Sequence, residues 1–284
     1  MSNTVTLKNA ILTVKISSLG AELTSVMKNG KELIWQPDPS FWTGQCPLLF
    51  PICGGLKDDK FIYDEKEFFL EKHGFGRISE FEIESASDTQ AVFLLKSSDS
   101  TRKQYPFDFE LRIIYALTDN VLSVDYKVNN KSNTDMYYSI GAHEGYSCPE
   151  GIEEYSVLFE CEEDFITSNL QGNLLEEGGV KVCESGYELP LKTEFFAIDA
   201  LVFLNNKSRS ATLLHRESGR RITVNYDGFD YFLLWTKPGA KYICLEPWRG
   251  IPDFTDSTYD ITSKRGILKI PASGEDLSVH TIAF

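Results

Sequence analysis

Alternating apolar and polar residues recur in short segments along almost the whole 284-residue chain. Leu12, Val14 and Ile16 show this period of two near the start, and residues 109–115 and 122–128 repeat it. Because successive side chains of a strand point to opposite faces, the alternation predicts half-buried β-strands. Helical patterns of about 10 to 15 residues do not alternate with these strands, so a parallel α/β sheet is disfavoured. We therefore expect an all-β fold, a sandwich of antiparallel sheets.

Turn residues between the strands predict tight hairpins. Asn29 and Gly30 stand between apolar flanks, and Asn-Gly in that setting is the strongest short hairpin signal. Further hairpins are predicted around residues 63–66 and 218–219. Residues 150–195 are acidic and irregular with glycine-rich turns, so we expect a rim loop or an edge insertion there.

The chain is long enough for one large all-β domain or for two ordinary domains. Strand-like segments continue without an obvious linker, so we expect a single domain over residues 1–284. The six cysteines are widely spaced, and none forms a C-x-x-C pair or lies beside a histidine at zinc spacing. We therefore expect free thiols and no metal site.

The formal net charge of −14 argues against a nucleic-acid or anionic-membrane partner, since both require a surplus of Lys and Arg. A neutral small-molecule substrate fits this charge better. No apolar run approaches the roughly 18 residues of a membrane span, and the N-terminus lacks the pattern of a signal peptide. We expect a cytoplasmic protein.

Three residues are candidates for acid–base chemistry. His73 and His143 stand in glycine-rich junctions, and Glu246 stands at a strand end before a Pro-Trp turn. Side chains that titrate near neutrality and project from strand ends can supply a catalytic acid and base in a shared cleft. The alternative for each histidine is a hydrogen-bonded structural group, and Glu-Pro is also an ordinary strand terminator.

Aromatic residues near these positions offer a second kind of site. Trp248, Trp235 and Phe75 could be apolar platforms for the CH face of a sugar ring, or they could simply belong to the core. The motifs of serine hydrolases, P-loop proteins and dinucleotide enzymes are all missing from the sequence. The sequence therefore favours chemistry that needs only a few polar side chains and a cleft.

Three motifs in order, LLFPICGGLKDDKFIYDEKEFFLEKHGFGR, SIGAHEGY and WTKPGAKYICLEPWRGIPD, resemble the aldose 1-epimerase (galactose mutarotase) family, and most closely its LacX-like branch. The likeness spans almost the whole chain and includes the N-terminal SSLGAELTSV and NGKELIW segments. It implies a large antiparallel β-supersandwich with a sugar cleft on one face. It also implies a cofactor-free interconversion of the α and β anomers of an aldose.

The resemblance implies a role for each matching residue. Glu246 in CLEPW corresponds to the general base that takes the proton of the anomeric hydroxyl. His143 in GAHEGY corresponds to the general acid that protonates the ring oxygen, and His73 in HGFGR to a histidine that binds and polarises the sugar. Asp199 in AIDALVF matches an aspartate that holds sugar hydroxyls.

The sequence departs from the family pattern at Gly55. Many relatives carry an arginine there that contacts the sugar, and glycine cannot donate a hydrogen bond from a side chain. Lys57 and Arg77 are candidates to compensate, and we expect Arg77 together with Trp248 among the substrate-binding residues. This departure could change the affinity for a sugar or the choice of sugar.

The implied function is an aldose 1-epimerase that acts on a neutral hexose, as a monomer or homodimer with a small sugar as its only partner. One alternative is a hexose-6-phosphate 1-epimerase, which needs cationic groups at the phosphate. The other is a non-catalytic carbohydrate-binding or regulatory protein on the same fold. Gly55 favours the latter, whereas the two histidines and the glutamate favour catalysis.

Overall fold

The computed structural model describes residues 2–284, and most of its regular structure is β-strand. The first twelve strands are β1 Thr4–Lys8, β2 Leu12–Ser17, β3 Leu23–Lys28, β4 Lys31–Glu32, β5 Lys60–Tyr63, β6 Lys66–Phe69, β7 Glu82–Ala86, β8 Gln90–Lys96, β9 Phe109–Thr118, β10 Val121–Asn130, β11 Met136–Tyr138 and β12 Ile140–Gly141. The remaining strands are β13 Glu144–Ser147, β14 Tyr155–Glu163, β15 Ile166–Gln171, β16 Leu174–Lys181, β17 Gly186–Pro190, β18 Leu201–Phe203, β19 Ser210–His215, β20 Arg221–Asn225, β21 Tyr231–Trp235, β22 Tyr242–Arg249, β23 Leu268–Ile270 and β24 Glu275–Ala283.

Helical structure is confined to short segments that connect strands. They are α1 at Asp99–Arg102 and 3-10 segments at Lys57–Asp59, Gly76–Ile78, Ile152–Glu154, Thr193–Phe196 and Ile261–Ser263. The helices described between residues 2 and 284 all lack the length and apolar character of a membrane-spanning segment. The six cysteines are unpaired.

Antiparallel pairing joins the strands into large sheets. One sheet has nine strands in the order β17-β14-β19-β20-β24-β10-β9-β8-β7. A second has the order β12-β22-β21-β18, with β13 also paired to β22, and a third has the order β1-β2-β3-β4. The prediction of a large antiparallel β-supersandwich is confirmed.

The core lies between the inward faces of these sheets. Buried and half-buried residues alternate along β9 and β10, and the inward set includes Leu111, Ile113 and Tyr126. Inward residues of β2, β14 and β22 belong to the same buried cluster. Full burial of one such large apolar side chain contributes roughly 1.5 to 3 kcal/mol to the free energy of unfolding. The apolar residues that produce the period of two in the sequence are therefore also the residues whose burial stabilises the fold.

The predicted hairpins are confirmed. Asn29 and Gly30 join β3 to β4 with φ angles of 51° and 75°, which is the left-handed pair of a type I′ turn. Asp64 and Glu65 join β5 to β6 with φ angles of 50° and 59°. The turn around residues 218–219 connects β19 to β20.

Residues 150–195, for which a rim loop or an edge insertion was expected, contain four strands. β14 and β17 form one edge of the nine-stranded sheet, whereas β15 and β16 form a separate two-stranded sheet. We call residues 166–181 the cleft hairpin, and its tip is Gly172 and Asn173. Leu175 is the one fully buried residue in it, so the sequence shows no apolar alternation that could have predicted these two strands.

Candidate active site

One face of the sheet containing β22, β21 and β18 forms the floor of a cleft. Glu246 and Trp248 lie two positions apart on β22 and therefore share this face. The neighbouring β21 adds Leu233, which pairs with Glu246, and Trp235. Val202 of β18 continues the row because it pairs with Leu233. Regular strand pairing thus places side chains from three strands beside one another.

The cleft encloses a cavity of about 240 Å³. Its walls come from residues 42–54 and 72–77, and its rim from residues 170–173 and 199–200. Sites for drug-sized ligands typically measure about 300 to 1,000 Å³, so this cavity is suited to a smaller molecule, such as a monosaccharide.

His143 enters the cleft just before β13. It lines the cavity, whereas its neighbour Glu144 pairs in the backbone with Leu245 and points into the core, as alternation along an extended chain requires. His143 Nε2 lies 3.4 Å from Glu246 Oε2. Both side chains are almost buried, with residue exposures of 9% for His143 and 1% for Glu246. The fold therefore brings the two predicted catalytic residues into direct contact.

Burial controls the protonation of this pair. It raises the pKa of Glu246 well above its usual value, and the charge of Lys72 acts in the opposite direction. It lowers the pKa of His143 to about 3. Two groups in contact titrate as a unit, and these directions mean that the pair holds one proton, on Glu246, over a wide range around neutral pH.

His73 is held by two reciprocal hydrogen bonds with Gly54. The His73 backbone N–H donates to Gly54 O at 2.9 Å, and the Gly54 N–H donates to His73 Nδ1 at 3.1 Å. Because Nδ1 accepts, the proton of the neutral ring is on Nε2. Burial lowers the pKa of His73 well below its usual value, which favours the neutral ring. His73 is therefore suited to donate a hydrogen bond in the cleft rather than to supply a full proton.

The glycine-rich junction around His73 has a steric origin. His73 and Gly74 both adopt positive φ angles, 70° and 65°. A Cβ atom on Gly74 would lie 2.4 Å from the carbonyl oxygen of Phe50, so a side chain there requires a backbone shift. The tight turn brings the His73 ring against His143 and Trp248, at centroid distances of 5.7 and 5.6 Å.

Tryptophans form the apolar surface of the cleft. Trp42 and Trp235 contact the His143 ring at centroid distances of 5.3 and 5.5 Å, and they contact each other edge to face at 5.2 Å. Trp248 is oriented by a hydrogen bond of 3.1 Å from its Nε1 to Ala142 O. Flat aromatic surfaces beside polar groups are suited to a ligand with both CH and OH faces.

Polar and charged side chains complete the lining. Arg77 donates from Nη2 to Lys72 O at 3.2 Å, and its buried Nε has no partner among residues 2–284. Neither Arg77 nor Lys72 forms an ion pair within that range, although both line the cavity. Asp199 lies on the rim, where its Oδ1 accepts from the Ala200 N–H at 2.9 Å. These groups are available to sugar hydroxyls or to other polar ligand atoms.

Two of the candidate residues named from the sequence do not reach the cleft. Phe75 is 5% exposed and packs against Phe50 and Phe109 in the core, so it does not line the cleft. Lys57 also lies outside the cavity: its Nζ is 5.1 Å from the Tyr259 ring centroid. Lys57 therefore cannot replace a cationic group at Gly55, whereas Arg77 does reach the cleft.

The predicted site residues all line one cavity: Glu246, His143, His73, Asp199, Arg77 and Trp248. Their chemical roles stay predictions. The cavity is also lined by Trp42, Lys72 and Asn173, which no sequence pattern predicted. Lys72 adjoins a candidate histidine and could have been found from that position, whereas Trp42 follows the proline-rich end of a predicted strand and Asn173 lies in the segment without a readable pattern.

Among residues 2–284, the potential metal ligands that cluster are His143, Cys244 and Glu246, whose ligand atoms lie within 4.8 Å of one another. Burial raises the pKa of the Cys244 thiol well above its usual value. A thiol that keeps its proton is a poor metal ligand, because metals bind the thiolate. The arrangement thus fits proton transfer between His143 and Glu246 better than metal binding.

The chain is similar to known proteins over its full length. The family model described as aldose 1-epimerase matches residues 3–281. The plasmid-encoded protein LacX of Lactococcus lactis subsp. lactis is 36% identical over 282 residues, with 94% of each chain covered. A galactose mutarotase-related enzyme from Lactobacillus acidophilus has a TM-score of 0.92 at 29% identity, covering 99% of this chain and 97% of that one. A galactose mutarotase-like protein from Lactobacillus casei has a TM-score of 0.93 at 26% identity, covering 99% of both chains. This chain therefore belongs to the aldose 1-epimerase family.

Proposed function

We propose that this protein is an aldose 1-epimerase, a mutarotase that interconverts the α and β anomers of a neutral hexose by acid–base opening and closing of the ring. The observation that carries this proposal is the contact of 3.4 Å between His143 Nε2 and Glu246 Oε2 at the floor of a monosaccharide-sized cleft. Membership of the family and the galactose mutarotase-related structures support the same reaction class.

Glu246 and His143 have complementary roles in the proposed reaction. Glu246 takes the proton of the anomeric hydroxyl, and the electrons of that O–H bond form the C1 carbonyl. The bond between C1 and the ring oxygen breaks, and the ring oxygen takes a proton from His143. After rotation about the C1–C2 bond, the ring oxygen attacks the other carbonyl face and both protons return. The protein ends in its starting protonation state, as a catalyst must.

The environment of the pair favours this cycle. The cyclic sugar requires His143 protonated and Glu246 ionised, whereas the open-chain sugar leaves both groups neutral. The pair carries one proton in either state. A proton shift between Glu246 and His143 therefore interconverts the charged pair and the neutral pair. Burial disfavours charge on both groups, and ring opening therefore relieves a desolvation cost. Each positioned proton transfer typically contributes about 10²- to 10⁴-fold in rate.

The other cleft residues hold the sugar in this proposal. The Nε2–H of His73 donates to an oxygen near the anomeric centre, while Arg77 and Asp199 contact hydroxyls from the rim. Trp248 and Trp42 pack against the CH face of the ring. Every one of these residues lines the cavity, and their polar atoms offer donors and acceptors in separate places.

The test is the approach of a pure α-hexose to anomeric equilibrium, followed by NMR with the spontaneous rate subtracted. We expect catalysis by the wild-type protein and at least about a 100-fold loss in His143→Ala, because one positioned proton transfer is removed. His215→Ala is the control, since that histidine contacts Ser218 outside the cleft. Equal rates for wild type and His143→Ala would overturn the proposal.

A panel of sugars separates the alternatives. Lys72 and Arg77 line the cleft without carboxylate partners among residues 2–284, so glucose 6-phosphate belongs in the panel beside glucose and galactose. If the protein turned over glucose 6-phosphate in preference to glucose and galactose, the proposed substrate would be a phosphorylated hexose and not a neutral one. Calorimetric binding of a sugar without any gain in rate would identify a carbohydrate-binding protein instead.

A further inference from the structure

The cleft hairpin supplies the rim of the cavity at the point where the chain has Gly55. Leu170, Gly172 and Asn173 all line the cavity, although the hairpin pairs with no other sheet. The turn places Gly172 at a φ angle of 60° between the paired residues Gln171 and Leu174. The hairpin therefore extends one narrow tip into the cleft.

The cleft hairpin is anchored close to its tip, at Leu175, to the loop that supports Gly55. Leu175 is fully buried, and its N–H donates to Asp253 O at 2.8 Å. The Asp253 N–H in turn donates to Gly55 O at 2.8 Å, and Asp253 Oδ1 forms a buried ion pair of 3.0 Å with Lys264. These bonds couple the hairpin to Gly55 through the backbone, so the position of the tip follows from the fold.

Gly55 and Asn173 occupy adjoining space. A Cβ atom added to Gly55 would lie 2.9 Å from Asn173 Cβ and 3.1 Å from Asn173 O. The first distance is shorter than real Cβ atoms show and the second is tighter than most of their contacts, so a side chain at position 55 would require Asn173 to shift. Glycine at this position is therefore the residue that lets the hairpin tip reach the cleft.

The Asn173 amide is available to a ligand. Asn173 is exposed, and its side chain makes no hydrogen bond to any part of residues 2–284. An asparagine amide offers two donors and one acceptor without a charge, which matches hydroxyl groups that donate and accept. A guanidinium offers donors only, so it would favour an acceptor or an anion at the same place.

We infer that Asn173 is a sugar-contacting residue that determines which aldose the cleft prefers, through hydrogen bonds to neutral hydroxyls on the Gly55 side. The inference rests on the proposed function, because it requires a sugar in the cleft. It assigns a specificity role to the cleft hairpin, which contributes no residue to the acid–base pair. The substrate class is a neutral aldose with free hydroxyls on that side.

The test compares Asn173→Ala with Asn169→Ala. Asn169 lies in the same hairpin, but its side chain bonds to Glu177 O at 3.1 Å and does not line the cavity. For Asn173→Ala we expect about a 2- to 10-fold increase in KM and in the Kd of the sugar, the effect of one neutral hydrogen bond, with a smaller change in kcat. Asn169→Ala should match the wild type in both.

Deoxy sugars identify the hydroxyl that Asn173 contacts. Removing that hydroxyl should weaken binding to wild type and to Asn169→Ala, but should have little further effect on Asn173→Ala. If Asn173→Ala and wild type show the same KM and Kd for every sugar of the panel, the inference is wrong. Sugar binding that depends on Asn173 without turnover would reject the proposed enzyme while retaining this contact, and the absence of any sugar binding would reject both.

A second set of variants tests the shared space. Gly55→Arg should weaken sugar binding and lower the melting temperature, because the new side chain collides with Asn173. Gly55→Arg with Asn173→Gly should recover part of the melting temperature lost in Gly55→Arg, since the collision with the asparagine Cβ is removed while the close approach to the backbone oxygen of residue 173 remains. Wild-type melting temperature and wild-type Kd in Gly55→Arg would contradict the steric relation.

Discussion

The molecule contains two buried histidine–glutamate pairs with nearly the same geometry and different surroundings. His143 Nε2 lies 3.4 Å from Glu246 Oε2, and His280 Nε2 lies 3.3 Å from Glu144 Oε1. His143 and Glu144 are consecutive residues of an extended segment, so their side chains point to opposite sides and the two pairs lie on either side of the backbone. The first pair lines the cleft, whereas His280 is 0% exposed and stacks on Tyr126 in the core.

This comparison shows that access, not composition, distinguishes a candidate catalytic pair from a structural one. Both pairs contain buried polar atoms that lack a hydrogen-bond partner among residues 2–284: Nδ1 of His143, Oε1 of Glu246, Oε2 of Glu144 and both ring nitrogens of His280. A ligand can reach only the pair that adjoins the cavity. The core pair can contribute to stability, and removing one member would leave the polar atoms of the other buried without a partner.

The strongest contrast should come from two isosteric substitutions. Glu246→Gln removes the proposed base, and we expect the anomerisation rate to fall by about 10²- to 10⁴-fold. Glu144→Gln keeps the shape of the core and should retain most of the wild-type kcat/KM per folded molecule. NMR measurement of both variants, with folding checked by circular dichroism, makes the comparison. A similar loss in both would show that the core pair also takes part in the reaction.

Unfolding experiments should give the opposite order, with the larger loss of stability for a substitution at Glu144 and the smaller one for a substitution at Glu246. Glu144→Ala leaves His280 buried without the carboxyl group that lies 3.3 Å from its Nε2, and we expect a loss of about 1 to 3 kcal/mol in the free energy of unfolding. Glu246→Gln removes a carboxyl group whose burial is unfavourable, so its unfolding free energy should equal or exceed that of the wild type. Urea titration of both variants measures the difference. A larger loss in Glu246→Gln than in Glu144→Ala would contradict the assigned roles.

Sequence patterns predicted the local parts of the fold well. The Asn29 and Gly30 turn and the alternation in β9 and β10 depend on neighbouring residues and on one buried face, so their signals are local. The cleft hairpin gave no such signal, because Leu175 is its only fully buried residue and its position depends on bonds to the distant Asp253. Exposed strands that are fixed by remote backbone contacts leave little trace in a sequence.

The candidate site likewise combines residues with a local sequence signal and residues without one. Glycine-rich junctions singled out His73 and His143, and the structure places both in the cleft because the tight turns bring backbones close together. Trp42 and Asn173 come from segments whose patterns say nothing about a cleft, and they meet it only through tertiary packing. Phe75 stands two residues after His73 in the same motif but faces the core, so proximity in sequence was a poor guide to access.

The dependence of kcat/KM on pH should reveal the altered titration of the cleft pair. The active state carries one proton, so activity falls when the pair gains a second proton or loses its only one. The first event follows the pKa of His143, lowered to about 3, and the second follows the raised pKa of Glu246. We expect a plateau across neutral pH, with the decline on the alkaline side. If the acidic limb of the profile had its midpoint near pH 6.5, the ordinary pKa of histidine, His143 would titrate independently of Glu246.

Replacing Lys72 should shift the pH profile of kcat/KM, but with a smaller effect than the substitutions above. The comparison with the core pair is relevant because Lys72 lies in the wall of the cleft, whereas the core pair offers no equivalent charge at a solvent-accessible wall. The Lys72 charge lowers the pKa of Glu246 and also that of His143, so Lys72→Met should raise both values and move both limbs to higher pH. Lys72 is half-exposed, and the shift should stay below about one pH unit and shrink as salt increases. Lys57→Met, which removes a lysine outside the cavity, is the matched control and should leave the profile in place. A shift of both limbs to lower pH in Lys72→Met would contradict the electrostatic role, because the removal of a positive charge can only make protonation of the pair easier.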